Sequence, residues 1–174
     1  EQRRRVIKPM RYQCRPVGKP AFYDTKYPGT YNARRDNLEG GFWTSLFGTS
    51  HGIMVVNAFF ENVARDSGNV VLEFRPKPTQ DMLVACLWSR WSAPGEPDLL
   101  SFAAITDEPP PEVAAAGHDR CIVPIKEENI DAWLQPAAHA LIQAGEDLAR
   151  GEAALKAGRI ITVFGCGGDR DRGK

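Results

Sequence analysis

Three polar clusters stand beside apolar runs of the sequence and carry the side chains needed for acid/base chemistry next to a phosphate. They are residues 32–35 (NARR), Asn57 with Glu61, and residues 118–120 (HDR). Together they offer an amide, a carboxylate, an imidazole and guanidinium groups, which can transfer protons while holding an anion. Taken singly, each cluster is more simply a group of solvated or turn-forming residues. The catalytic hypothesis therefore requires that the three clusters meet in the folded chain.

Glu61 is the central candidate for a general acid or base. Residues 51–62 (HGIMVVNAFFEN) form an almost continuous apolar run, which predicts a strand buried on both faces and ending at this carboxylate. A carboxylate at the end of such a strand loses solvation, and desolvation raises its pKa toward the range useful for proton transfer near neutral pH. The simpler interpretation is that Glu61 only marks where the strand meets water.

The elements that must position these residues are mostly short strands. Residues 38–47, 112–117, 127–134 and 137–157 have the periodicity of helices, and the first 31 residues predict short extended pieces. The strands that the pattern predicts are residues 51–62, 70–74, 81–91, 99–106, 120–125 and 159–164. Strands at this spacing predict a mainly antiparallel sheet that curls into a barrel-like form.

Composition limits the function more weakly than the motifs do. The chain has 174 residues, enough for one sizeable core, and its 22 basic and 22 acidic residues cancel. The first 26 residues are nevertheless rich in Lys and Arg, so a local basic face can hold phosphates. No apolar run is long enough to span a membrane, and no signal peptide is evident.

The cysteines indicate neither a disulfide framework nor a metal site. Cys14, Cys86, Cys121 and Cys166 are far apart and form no CxxC pair, and the three histidines are dispersed. We therefore expect reduced thiols in a cytoplasmic protein, with no metal and no cofactor.

Six short motifs occur in an order that resembles the SOS-response-associated peptidase (SRAP) family of abasic-site-processing proteins. They are PMRY (9–12), YNARRDNL (31–38), VVNAFFEN (55–62), SFAAITDEPP (101–110), GHDR (117–120) and NIDAWL (129–134). The resemblance covers roughly residues 5–136. It implies an α+β fold with a curled, barrel-like, mainly antiparallel sheet and flanking helices. Residues 1–136 would be this domain without its N-terminal segment, and residues 137–174 would be an Ala-rich helix, a strand and a Gly-rich tail of uncertain origin.

The resemblance also implies a function and a division of roles. Members of the family recognise abasic sites in single-stranded DNA and cross-link to them through a cysteine at the mature N-terminus; a lyase or self-processing peptidase step is also consistent with the resemblance. The implied site residues are Asn32 to position the sugar or nucleophile, Glu61 and His118 as acid/base groups, Arg34 and Arg120 to hold phosphates, and Thr106 to line the pocket. Partners would be single-stranded DNA with abasic sites and no membrane. The protein would be a monomer, associated with the nucleoid when it is bound to DNA.

Aromatic residues beside cations are candidates for stacking on DNA bases. Tyr12, between Arg11 and Arg15, is one such platform, and Trp43 is a second. The alternative for each aromatic residue is packing in the core.

Two departures from the family pattern affect the expected chemistry. The chain opens with Glu1 and Gln2 where the family has its cysteine, and the internal Cys14 has no free α-amine with which to close a thiazolidine. We therefore expect weak binding of single-stranded DNA and no stable cross-link. A catalytically dead single-stranded DNA-binding module is the alternative.

The second departure is the tail. Residues 158–174 resemble the start of the C-terminal domain of Mur ligases, which would make the chain a Mur-ligase-related fragment. Residues 168–174 (GDRDRGK) also fit most of a phosphate-loop pattern, but no Ser or Thr follows the lysine. We interpret that match as coincidental, and the tail as a joined strand with a flexible end.

Overall fold

An eight-stranded mixed sheet forms the body of the protein in the computed structural model, which describes residues 5–66 and 68–134 and the backbone of 161–166. A separate hairpin, β4 (Phe59–Arg65) with β5 (Gly68–Phe74), packs beside it. The strands of the main sheet are β1 (Val6–Tyr12), β2 (Asn32–Arg34), β3 (His51–Val56), β6 (Met82–Trp91), β7 (Leu99–Asp107), β8 (Cys121–Ile122), β9 (Pro124–Ile125) and β10 (Ile161–Cys166).

The main sheet closes on itself. Its strand order is β2-β7-β1-β10-β3-β6-β9, with β8 on β7, and an additional pairing joins β6 to β7. The strands β7, β1, β10, β3 and β6 therefore form a ring, which confirms the expected α+β class with a curled, barrel-like sheet. The strand directions are more mixed than expected, because β1–β10, β1–β7, β10–β3 and β2–β7 are parallel pairs.

Both faces of the central strands are buried, which explains their continuous apolar sequence. In β7, Phe102 and Ala104 belong to one hydrophobic cluster, whereas Ala103 and Ile105 belong to another on the opposite face. The second cluster also takes in Trp133 of the helix α3 (Ile130–Trp133). The indole N–H of Trp133 donates to the carbonyl of Gly52 at 2.8 Å, which fixes α3 against β3.

The single strand predicted for residues 51–62 is wrong. The strand β3 ends at Val56, and a new strand begins at Phe59 in the separate hairpin. The apolar run is continuous although its two strands differ in burial. The strand β3 is buried on both faces, whereas β4 alternates between more buried and more exposed positions. Phe60 is 59% exposed and Val63 only 1%. Glu61 consequently lies within a hairpin strand and not at the end of a core strand.

The helix predicted for residues 38–47 is also wrong. This segment is a series of turns, although Leu38, Leu46 and Phe47 are buried as the helix hypothesis required. The consecutive Gly40 and Gly41 disfavour a helix because glycine loses the most backbone entropy on ordering. The described α-helices are short: α1 (Tyr23–Lys26), α2 (Pro111–Ala115) and α3.

Near the end of the described chain, the predicted helix and strands are present but some of them are divided into shorter elements. The helix predicted for residues 127–134 is a 3₁₀ turn (Glu127–Asn129) followed by α3, and Ile130, Trp133 and Leu134 are buried as expected. The strand predicted for 120–125 is divided into β8 and β9, and the strand predicted for 159–164 corresponds to β10. The helix predicted for 137–157 lies outside the described residues.

Candidate functional site

The register of three adjacent strands brings the first and third polar clusters together. Arg34 in β2 lies opposite Thr106 in β7, and Thr106 lies opposite Ile122 in β8. The Arg120 guanidinium therefore comes within 3.9 Å of the Asp36 carboxylate, which follows β2. Two clusters that are far apart in sequence thus share one edge of the sheet.

The hairpin brings Glu61 of the second cluster to the same place. The loop after α2 packs on β4: Arg65 donates to the carbonyl of Ala116 at 2.6 Å. A side chain at Gly117 would meet Arg65 and Val63 at 3.0 Å, so the approach requires glycine, whose φ is +94°. The next residue, His118, then places its Nε2 atom 3.2 Å from Oε2 of Glu61.

The other ring nitrogen of His118 is held by the backbone. Nδ1 lies 2.7 Å from the carbonyl oxygen of Arg120 and 3.2 Å from the backbone N–H of the same residue. In the tautomer that carries its proton on Nδ1, this nitrogen donates to the carbonyl. One further proton can then lie between Nε2 and the Glu61 carboxylate. Both side chains are partly buried, at 20% and 24% exposure, so a substrate can reach them while bulk water is limited. The pair is therefore arranged to exchange a proton.

Asp36 is a member of the site that the sequence analysis missed. Its carboxylate accepts two hydrogen bonds from Arg34, from Nε at 3.0 Å and from Nη2 at 2.5 Å. The hydrogen bond from Arg34 lowers the pKa of Asp36, and the same bond raises the pKa of Arg34. The signal in the sequence was an acid two residues after an arginine at a strand end. Arg35 points elsewhere and pairs with Asp107 at 2.5 Å.

Asn32 is oriented by Tyr12. The Tyr12 hydroxyl donates to Oδ1 of Asn32 at 2.8 Å, and the Tyr12 ring stacks on Phe102 with centroids 5.2 Å apart. The amide oxygen is thus engaged, and the NH2 group is the part of Asn32 suited to donate to a ligand. Asn32 and Arg34 share one face of β2, because the buried Ala33 between them points to the other.

Other predicted residues have different surroundings from those expected. Thr106 is 5% exposed and is the neighbour of Arg34 across the β2–β7 pair. Arg11 makes an ion pair with the buried Asp24 at 2.5 Å, so its guanidinium has a structural partner. Tyr12 is partly buried by its contact with Phe102. The stacking role predicted for Trp43 is wrong, because this side chain is 5% exposed in the core.

The described thiols are buried and poorly suited to nucleophilic attack. Burial raises the pKa of Cys14 to about 12 against the lowering effects of Ser101 and Arg11. Burial, with the nearby charges of Glu61 and Glu112, raises the pKa of Cys121 to about 11. Cys86 is fully buried and its pKa is also raised, mainly by burial. Since the thiolate is the reactive form, none of these three cysteines is activated at neutral pH.

A cavity of about 640 Å³ borders the site on the side of the hairpin. Phe59 and Phe74, stacked with centroids 4.9 Å apart, form part of its wall together with Cys121 and Val113. Among the residues described, no group of three or more His, Cys, Asp or Glu side chains could hold a metal ion. Within residues 5–66 and 68–134, no helix has the length and apolar character needed to cross a bilayer.

Comparisons with known proteins agree on one family and one fold. A family model described as SOS response associated peptidase (SRAP) matches residues 1–160. A solved structure from Bacteroides thetaiotaomicron aligns with a TM-score of 0.68 at 18% identity, covering 76% of this chain and 60% of that one. One from Bordetella bronchiseptica aligns at 0.65 and 18%, covering 75% and 68%. A phage-related protein of the same organism aligns at 0.54 and 22%, covering 84% and 65%.

At these identities the structural similarities establish the fold alone, and the chain spans less than two thirds of the first of these proteins. A separate short similarity is to a UDP-N-acetylmuramoyl-L-alanyl-D-glutamate–2,6-diaminopimelate ligase from Geobacter metallireducens. It is 66% identical over 29 residues, which is 17% of this chain and 6% of the ligase.

Proposed function

The chain belongs to the SOS response associated peptidase (SRAP) family, and from that premise we propose that it processes abasic sites in single-stranded DNA. The observation that carries the proposal is the 3.2 Å contact between Glu61 and His118, next to the cluster of Arg34, Asp36 and Arg120. An acid/base pair beside two guanidinium groups suits a sugar that must exchange protons between two phosphates.

The chemistry that this pair supports best is opening of the abasic sugar. In the closed form, C1′ carries a hydroxyl and is bonded to the ring oxygen. The Glu61 carboxylate accepts the hydroxyl proton while protonated His118 donates a proton to the ring oxygen, and the C1′–O4′ bond breaks to give an aldehyde. The proton gained by Glu61 returns to His118 across their contact. The pair is thereby restored without a net change in protons.

The positively charged cluster would hold the phosphates on either side of the sugar. Arg34 and Arg120 supply two positive charges, and Asp36 supplies one negative charge that fixes Arg34 through two hydrogen bonds. A guanidinium already held by a carboxylate loses less side-chain entropy when a phosphate binds. The amide NH2 of Asn32 is placed on the same face of β2 to donate to a sugar oxygen.

The aldehyde is the species that an amine or a thiol can capture in a cross-link. Cys14, Cys86 and Cys121 are not suited to this role, since all three are buried and have raised pKa values. We therefore assign ring opening and phosphate binding to the described residues, and we leave cross-link formation outside their chemistry.

A test of ring opening should not depend on a nucleophile of the protein. The full chain is incubated with a single-stranded oligonucleotide that carries one abasic site, and an aminooxy probe at saturating concentration captures the free aldehyde. We expect the protein to accelerate oxime formation, and Glu61→Gln and His118→Asn to reduce that acceleration about 100-fold or more, the usual contribution of a general acid or base.

Glu96→Gln is the matched control, because Glu96 is an exposed glutamate that precedes β7, at the end of this strand opposite to Thr106. Unchanged oxime rates in both site variants would overturn the proposal. Binding of the oligonucleotide without any acceleration by the wild-type chain would instead favour a DNA-binding module without chemistry. That second candidate is favoured by one observation, the absence of an activated thiol among the described cysteines.

A further inference from the structure

The cavity of about 640 Å³ beside the hairpin lies between two separate parts of the fold. One wall comes from the hairpin, where Phe59 and Phe74 pair across the two strands and stack with their ring planes 13° apart. Another wall comes from the body, where Val113 of α2 and Cys121 of β8 are buried. None of the residues assigned to the proposed chemistry lines this cavity. Its volume is in the range of pockets that bind small molecules.

The positive charges at the cavity are compensated by neighbouring acids. The guanidinium of Arg35 pairs with the Asp107 carboxylate at 2.5 Å. The guanidinium of Arg75 pairs with the carboxylate of Glu73, two residues before it in the chain. Neither arginine therefore gives the cavity a net positive charge that would favour an anionic ligand.

Two carboxylates at the cavity have no such compensation. Glu108 and Glu112 both line the cavity and are exposed, and neither forms an ion pair with a cation in residues 5–66 and 68–134. Three consecutive prolines, residues 109–111, lie between them and restrict the backbone that carries both side chains. The charge of Glu112 also contributes to the raised pKa of Cys121, which indicates that this carboxylate lies near the buried wall.

We propose that this cavity binds a small organic cation, an amine attached to a flat apolar group. The apolar group would lie against Phe59 and Phe74, and the ammonium would face Glu108 and Glu112. The faces of aromatic rings attract cations, and two uncompensated carboxylates at the same cavity add to that attraction. An anion of the same shape would be repelled by both carboxylates, whereas a neutral molecule would gain only the apolar contacts.

Such a ligand would join the two parts of the fold that bring Glu61 and His118 together. Phe59 lies two positions before Glu61 on the same face of β4, and Cys121 follows His118 by three residues. A molecule that contacts both walls binds better when the hairpin is packed on the body, so its binding stabilises that arrangement. Ligand binding at this cavity does not depend on what the acid/base pair does.

The test compares three ligands of one shape and different charge. Isothermal titration calorimetry of the full chain measures the affinity for tryptamine, whose indole carries an ammonium at neutral pH. Tryptophol replaces the ammonium with a hydroxyl, and indole-3-acetate carries a negative charge. We expect tryptamine to bind about tenfold more tightly than tryptophol, the sum of one cation–π contact and one exposed charge pair. Indole-3-acetate should bind more weakly than tryptophol.

Variants of the cavity separate the two contributions. Glu108→Gln combined with Glu112→Gln should remove most of the preference for tryptamine and leave tryptophol binding unchanged. Phe74→Leu keeps an apolar side chain but removes a ring face, and should weaken tryptamine binding about fivefold. The matched controls are Glu96→Gln and Phe60→Leu, at an exposed glutamate and at an exposed ring on the outer face of the hairpin. Both should bind tryptamine as the wild type does.

Hydrogen exchange then locates the ligand. Saturating tryptamine should slow amide exchange in both β4 and β5, because the ligand holds the hairpin against the body. Thermal unfolding of each variant detects a loss of folding, and the glutamine pair keeps the test valid if Phe74→Leu does not fold, since both glutamates are exposed.

No binding at millimolar tryptamine, or equal affinity for tryptamine and tryptophol, would overturn the assignment of this cavity. So would binding that leaves exchange in β4 and β5 unchanged, because the ligand would then lie elsewhere. None of these measurements uses DNA or oxime formation, so the cation site and the ring-opening chemistry are tested independently.

Discussion

At the scale of single residues, charged groups in this protein form ion pairs whose contribution to stability depends on how deeply they are buried. Asp24 is 5% exposed and holds Arg11 and Arg15, whereas Asp98 is exposed and pairs with the exposed Arg90. An uncompensated charge in a buried pair is costly, but an exposed pair contributes little. The two aspartates should therefore differ widely in their effect on stability.

We predict that Asp24→Asn lowers the free energy of unfolding by about 3 kcal/mol at pH 7, because two arginines lose their buried partner. Asp98→Asn, the matched exposed control, should change it by less than about 1 kcal/mol. Urea unfolding of the three proteins measures both values. An equal effect of the two substitutions would show that the burial of Asp24 has no energetic importance.

The ion pairs of Asp24 also predict that the stability of the protein depends on pH. Burial acts to raise the pKa of Asp24, but the hydrogen bond from Arg15 and the charges of Arg11 and Arg15 outweigh it and hold the pKa below its ordinary value. The stabilisation is then fully present above the unfolded pKa of about 3.9 and is lost as the pH falls through the lower folded pKa. The difference between wild type and Asp24→Asn should shrink as the pH decreases from 5 to 2.

Residue types alone nominated Glu61, His118 and Arg34, because few side chains can move protons or bind phosphate. They could not predict that Glu61 and His118 touch, since that contact depends on the packing of a hairpin against a distant loop. Residue types also could not predict the partners of Tyr12 and Arg11. Their partners, Asn32 and Asp24, are determined by tertiary structure that no local pattern encodes.

At the scale of elements, the site depends on how closely the loop after α2 approaches the hairpin. Gly117 makes this approach possible in two ways, through its positive φ and through the absence of a side chain beside Arg65 and Val63. Gly95 has a similar φ of +81°, but a side chain there would meet no atom within 4 Å. Comparing substitutions at the two glycines therefore separates the energetic cost of backbone strain from the cost of steric contact.

We predict that Gly95→Ala costs about 1 kcal/mol of stability, the strain of a left-handed conformation alone. Gly117→Ala should cost more, about 2–3 kcal/mol, because the loop must also move away from β4. The movement separates His118 from Glu61, so oxime formation should fall in Gly117→Ala and remain normal in Gly95→Ala. Thermal unfolding and the oxime assay measure the two effects. Equal losses of stability would argue against the close packing of the loop.

The predicted elements failed where tertiary contacts determine the boundary. Residues 51–62 carry no turn signal strong enough to divide them, yet the chain leaves the main sheet after Val56 because β4 pairs with β5 instead. Residues 38–47 have their apolar side chains in the core without forming a helix, because two glycines interrupt them. The long apolar strands β6 and β7 were predicted almost to the residue, since both of their faces are buried.

At the scale of the whole molecule, β10 completes the ring of strands. Its backbone lies between β1 and β3 and is parallel to both. Removing this strand would leave two neighbouring edges unpaired, and unpaired edges expose backbone groups that otherwise form ladder hydrogen bonds. The stability of the ring should therefore depend on residues 161–166, whereas the stability of the hairpin should not.

We predict that truncation after residue 160 increases amide hydrogen exchange in β1 and β3 about tenfold or more, because their ladder partner is lost. Exchange in β4 and β5 should remain the same, since the hairpin pairs only within itself. Mass spectrometry of peptides from the two regions makes the comparison within one sample. Unchanged exchange in β1 would show that β10 contributes nothing to the ring.

The closure of the ring also determines how the protein can fold. The strand β1 is synthesised before its partners β7 and β10, which lie far along the chain. Arg11 pairs beside Ser101, and Val6 beside Ile161. Contacts between such distant segments require large loops to close before they stabilise anything, which slows folding. The hairpin, by contrast, joins neighbouring residues and can form while translation continues. The Glu61 side of the site is therefore expected to exist before the body of the protein that completes it.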